Sequence, residues 1–97
     1  MNESADIIWK SGSATIPDPI GLHARPAVKL TKLAKKFSSK VEIKSNSTEK
    51  WINAKSPNEV MKLRAKHGEP LYVRAAGDNA QECVDQLLAL ISSNFVN

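Results

Sequence analysis

The chain has 97 residues, 41% of them hydrophobic and 25% charged, enough for one core and too few for a second domain. Its formal net charge of +4 favours an acidic partner but is too small to prescribe nucleic-acid binding. No apolar run approaches the ~20 residues of a membrane span, Met1-Asn2-Glu3-Ser4-Ala5-Asp6 lacks the basic start of a signal peptide, and the lone Cys83 excludes an intramolecular disulfide; the expected location is the cytoplasm, without membrane insertion.

In chain order the pattern predicts β-α-β-β-α-β-α. A first strand falls within Lys10 to Ile16, with Ala14 and Ile16 inward and Pro17 and Pro19 ending it, and Ile7-Ile8-Trp9 is a candidate extension. Pro26 suits the first position of a helix, because its fixed φ is helical and its missing N–H would be unpaired there. Ala27, Leu30, Leu33, Ala34 and Phe37 follow at helical spacing, while Lys29, Lys32, Lys35 and Lys36 fill the other face. Val41 and Ile43 then alternate with Glu42 and Lys44 as a half-buried strand. Ser45 to Glu49 make a polar turn, and Trp51 to Ala54 return as the hairpin partner.

Ser56-Pro57-Asn58-Glu59 reads as a helix start, with serine as N-cap, proline at the first position and glutamate closing a capping box. This short helix turns Val60 and Leu63 inward, with Met61 a further candidate, and Gly68 terminates it before Pro70. His67 then reads as a favourable charge at the C-terminal end of the helix dipole. Leu71, Val73 and Ala75 alternate with Tyr72 and Arg74 as a fourth strand. After Gly77-Asp78, the longest helix presents Ala80, Cys83, Val84, Leu87, Leu88 and Ile91 as one apolar face, which makes Cys83 a core residue. The fold class is α+β, an open-faced β-sandwich whose four-stranded antiparallel sheet is covered on one face by three helices. Residues 10–97 make the single domain and 1–9 an N-terminal extension. Trp9 and Trp51 fit either core caps or contact residues.

The residues richest in chemistry are Gly21-Leu22-His23-Ala24-Arg25-Pro26. His23 precedes the first helical turn, where free N–H groups and the positive dipole end attract anions. Arg25 adds a planar fork of donors that matches phosphate geometry. An unperturbed imidazole pKa of about 6.5 leaves much of the ring neutral and nucleophilic at neutral pH without an activating base. Covalent attachment to a ring nitrogen splits a phosphoryl transfer into two steps. The plainer reading of His23 is a capping or surface histidine. Lys29, Lys32 and Lys36 share one helix face, which is either simply solvated or steers acidic partners toward the site.

The heptapeptide Gly21-Leu22-His23-Ala24-Arg25-Pro26-Ala27 resembles the active-site signature of the HPr family, the histidine-containing phosphocarriers of the bacterial phosphoenolpyruvate-dependent phosphotransferase system of sugar transport. Ile52-Asn53-Ala54-Lys55-Ser56, with Val60-Met61 following, is similar to the segment around that family's regulatory serine. The resemblance implies that His23 takes a phosphoryl group at Nδ1 from phospho-enzyme I and passes it to a histidine of an enzyme IIA-type acceptor. It implies that the backbone N–H groups of Ala24 and Arg25 and the Arg25 side chain bind that group. A monomeric carrier without cofactor or metal is expected, not an enzyme in its own right. Ser56 is the helix cap by local chemistry and, by resemblance, the target of an HPr kinase. Two features depart from the sugar-system members: Ile20, which is closer to nitrogen-type paralogues and to HPr-like domains of multidomain phosphotransferases, and Pro57-Asn58-Glu59 after the serine. A regulatory HPr-like paralogue, or an HPr domain of a multidomain phosphotransferase whose main role is partner binding, is therefore the alternative.

Other classes fit less well. A small basic nucleic-acid-binding α/β domain suits the charge, but the chain lacks a Gly-x-x-Gly loop or an aromatic pair in a Lys/Arg-Gly-Phe context. A phosphatase would need a group to position water, which the hexapeptide does not supply. A metal site is weaker still, since His23 and His67 are far apart with no cysteine cluster.

Overall fold

The computed structural model describes residues 7–96; most of the proposed extension, residues 1–6, lies outside them. Four strands, β1 (Lys10–Thr15), β2 (Lys40–Ser45), β3 (Ile52–Asn53) and β4 (Pro70–Ala76), alternate with three helices, α1 (Ala24–Ala34), α2 (Pro57–Met61) and α3 (Ala80–Ser92), in the order β-α-β-β-α-β-α. The sheet runs β1-β4-β2-β3 with every pair antiparallel. Alternation puts Val41, Ile43, Leu71, Val73 and Ala75 on one face, where they are buried with Leu30 of α1, Val60 of α2 and Leu87 and Ile91 of α3. The helices thus cover a single face, as expected of this α+β class.

The opposite face is not bare. Glu42 and Arg74 are register partners there, joined by an Arg74 Nε to Glu42 Oε1 hydrogen bond of 2.8 Å. The Arg74 guanidinium lies between Trp9 and Trp51, 3.9 Å and 4.4 Å from their ring centroids. Lys40 and Lys44 stand over the same two rings at 5.8 Å and 5.6 Å. Both tryptophans are therefore part of a cation–π stack on the sheet, not caps on the core.

Several boundaries differ from the sequence expectation. Ile7-Ile8-Trp9 does not extend β1, and Ile8 is 73% exposed. The first helix begins two residues before Pro26, which occupies its third position; every N–H of a first turn lacks an internal partner, so proline is tolerated at any of these places. In α2, Ser56 accepts the Glu59 N–H at 3.4 Å and caps as expected. The capping box is half formed, however, because the Ser56 N–H goes to the Asn53 carbonyl while Glu59 pairs with Lys62 at 3.6 Å. The helix ends at Met61, well before Gly68, and Met61 faces solvent. Leu63 and Ala65 are both buried. Two residues apart, they cannot share a helix face, and Arg64 turns the chain between them with φ 50°. His67 is consequently exposed, far past the helix end, with no dipole to stabilise it.

Candidate functional site

The loop from Pro17 to His23 connects β1 to α1, and its shape is set by two anchors. The Asp18 carbonyl accepts the Gly21 N–H at 2.9 Å, and Asp18 Oδ1 accepts the Ile20 N–H at 2.8 Å, so the aspartate closes the turn twice. Gly21 has φ +91°, and a Cβ there would lie 2.7 Å from the Ala65 carbonyl oxygen. That approach lets Leu22 N–H reach the same oxygen at 2.9 Å. The loop is in this way pressed against the segment after α2, and the next residue, His23, is delivered at a fixed point.

His23 is the N-cap of α1 with extended backbone, and its side chain makes no capping bond. The plainer reading as a capping side chain therefore does not hold; the ring is 39% exposed. The first intrahelical bond runs from Ala27 N–H to the His23 carbonyl at 3.0 Å, and Pro26 carries no N–H. The N–H groups of Ala24 and Arg25 have no partner among the described residues. No acidic side chain lies in the first turn of α1, so nothing within the helix offsets the positive end of its dipole. Arg25 is exposed beside it and has no ion pair among the described residues. An anion attached to the ring has backbone donors, a guanidinium and a helix end within one turn of chain.

Two elements of the site escaped sequence reasoning. Asp18 Oδ2 lies 3.5 Å from His23 Nε2, and the Asp18 side chain is only 17% exposed. The Pro17-Asp18-Pro19 run signals a turn, but its placement against the histidine depends on the loop folding back. The second is the C-terminal segment. Asn94 and Phe95 both have φ 60°, Phe95 is buried, and its carbonyl accepts Lys29 Nζ at 2.8 Å. Asp18, His23, Arg25, Lys29 and Phe95 line one open cavity of about 400 Å³. Lys29 is thus tied down at its ammonium group, although all three lysines of the predicted row, Lys29, Lys32 and Lys36, are exposed. Ser56 is not among the residues that line this cavity; it is the N-cap of α2, which packs on α1. Among the described residues there is no group of three metal-ligating side chains and no helix long and apolar enough to cross a membrane.

This geometry can be set beside known proteins. The phosphocarrier protein HPr of Cupriavidus necator is 42% identical over 81 residues, covering 84% of this chain and 89% of that one. The multiphosphoryl transfer protein of Haemophilus influenzae is 34% identical over 102 residues, which cover 98% of this chain but 20% of the larger protein. The crystal structure of HPr from Thermoanaerobacter tengcongensis superposes with a TM-score of 0.81 at 36% identity, over 89% of this chain and 94% of that one. The family model described as the PTS HPr component phosphorylation site matches residues 10–93. With the sheet order and these matches in agreement, the chain belongs to the HPr family of phosphocarriers of the phosphotransferase system.

Proposed function

We propose that His23 is the residue on which this carrier is phosphorylated, with phospho-enzyme I as donor and a histidine of an enzyme IIA-type protein as acceptor, in the cytoplasm. In the loading step the Nδ1 lone pair attacks the phosphorus of the donor phosphohistidine. The new N–P bond forms as the old one breaks, and the donor nitrogen keeps the electron pair. The same exchange in the other direction unloads the group, so the chain returns unchanged and acts as carrier, not as an enzyme with its own small substrate. The observation that carries this reading is the part-exposed His23 ring, free of a side-chain capping bond, beside the N–H groups of Ala24 and Arg25, which have no partner among the described residues. Those donors and the Arg25 guanidinium bind the equatorial oxygens and spread their charge during transfer.

Partner recognition falls to what surrounds the ring. Ile20 is 77% exposed in the active-site loop, and Val28 and Met61 are exposed on α1 and α2, which gives apolar contact points. Lys32 and Lys36 speed encounter with acidic surfaces. The test of the carrier reading is incubation with phosphoenolpyruvate and enzyme I, followed by mass spectrometry under alkaline conditions. A mass gain of one phosphoryl on the His23 peptide, lost in His23→Ala, supports it, and an unmodified His23 across several enzymes I refutes it. We propose Ser56 as the acceptor for an HPr kinase in addition to its capping role; absence of label on the wild type, with Ser56→Ala as control, leaves the cap alone.

A further inference from the structure

We infer that Asp18 is a positioning residue for phosphoryl transfer, holding the His23 ring proton on Nε2 so that Nδ1 presents its lone pair. The inference rests on the carrier reading above and adds a residue to it. A neutral imidazole carries one N–H and one lone pair, and the group facing one nitrogen decides which is which. Asp18 Oδ2 stands 3.5 Å from Nε2, longer than an ordinary hydrogen bond but close enough for a carboxylate to favour N–H over a lone pair at that atom. Its other oxygen is held by the Ile20 N–H at 2.8 Å, and the residue is largely sheltered. The carboxylate is fixed by the loop and does not swing freely.

The charge movement of the reaction gives this contact a role. When the Nδ1 lone pair of a ring protonated at Nε2 forms the N–P bond, the ring gains positive charge. A carboxylate already in place at Nε2 stabilises that charge as it develops, at no cost of reorganisation. The retained Nε2 proton also makes the ring a better leaving group in the unloading step. Asp18 itself neither takes up the proton nor touches the phosphoryl group.

Two variants separate this role from a structural one. Asp18→Asn keeps a side-chain oxygen for the Ile20 N–H, and so the turn, but loses the charge; Asp18→Ala loses both. Nitrogen-15 NMR of the unphosphorylated protein, above the pH at which the ring is protonated, reads the His23 tautomer directly. The expected result is a predominant Nε2–H form in the wild type that falls in both variants, with phosphoryl uptake from phospho-enzyme I slowed about tenfold, by analogy with carboxylates that orient metal-ligating histidines. An unchanged tautomer ratio in Asp18→Asn and Asp18→Ala overturns the inference while the carrier reading stands. A wild type that takes no phosphoryl group on His23 overturns both.

Discussion

Gly21→Ala is the substitution whose effect the structure specifies most fully. The added Cβ meets two separate obstacles. An L-residue at φ +91° costs about 1–2 kcal/mol through contact of Cβ with its own backbone. In addition, the methyl would stand 2.7 Å from the Ala65 carbonyl oxygen and 3.1 Å from the Lys66 Cα. Both are backbone atoms, so the loop must shift, at about 1–3 kcal/mol by analogy with overpacked sites. Gly68→Ala provides the control, because Gly68 has φ +84° and a Cβ there would meet no atom of the described residues within 4 Å. It carries the conformational cost alone, and the stiffening of the unfolded chain by alanine is common to both. Thermal unfolding followed by circular dichroism should therefore place Gly21→Ala about 4–24 °C below Gly68→Ala, taking 4–8 °C per kcal/mol for a domain of this size. Phosphoryl uptake by His23, two residues on, should fall in the first variant and not in the second. A Gly21→Ala midpoint equal to or above that of Gly68→Ala would refute the claim that the loop's approach to Ala65 fixes the site.

Ser56→Ala should lower stability to urea by about 1 kcal/mol, since the hydroxyl accepts the Glu59 N–H, whereas Ser56→Asp keeps a capping oxygen and should be nearly neutral. Arg74→Met should cost roughly 2 kcal/mol by leaving Glu42 without its partner between the two rings. Arg74→Lys should restore only part of this, because an ammonium cannot stack as a plane; a shift in tryptophan fluorescence reports the loss. Burial pushes the Cys83 thiol above its ordinary 9.0, against smaller opposing effects of Ser39 and Lys55. The unfolded chain then releases the thiol proton first, so Cys83 contributes a loss of stability as pH rises above 9. Denaturation across pH 8 to 10 should show a steeper decline in the wild type than in Cys83→Ala, and equal slopes would contradict the buried-thiol account.

The sequence exposes periodicity and local chemistry, and these cover most of the fold. Leu71-Val73-Ala75 and the apolar face from Ala80 to Ile91 could be read directly because each residue's burial follows from its own neighbours in the chain. α1 starts two residues before Pro26, the position its sequence marks, since proline's missing N–H is equally harmless anywhere in the first turn. α2 ends well before Gly68, the residue that ordinarily stops a helix, because Arg64 takes the left-handed turn that lets Leu63 and Ala65 both be buried. At the site, His23, Ala24 and Arg25 are contiguous and could be placed together from spacing alone. Asp18 and Phe95 could not. Each comes to the cavity through a contact that no local pattern encodes: one through a turn folded back onto the histidine, the other through a lysine bond spanning from α1 to the chain's end. Arg74 and Glu42 are likewise brought together only by the sheet register, and Trp9 and Trp51 stack on the guanidinium from just outside the strands.

The central claim is that the group on His23 is passed on and not merely attached. The chain loaded with radiolabelled phosphoryl by enzyme I, freed of donor and mixed with an enzyme IIA-type protein should lose its label to the acceptor far faster than to water, and be ready to accept again. Label that stays on the chain in the presence of acceptors, or that leaves only as inorganic phosphate, would contradict the account.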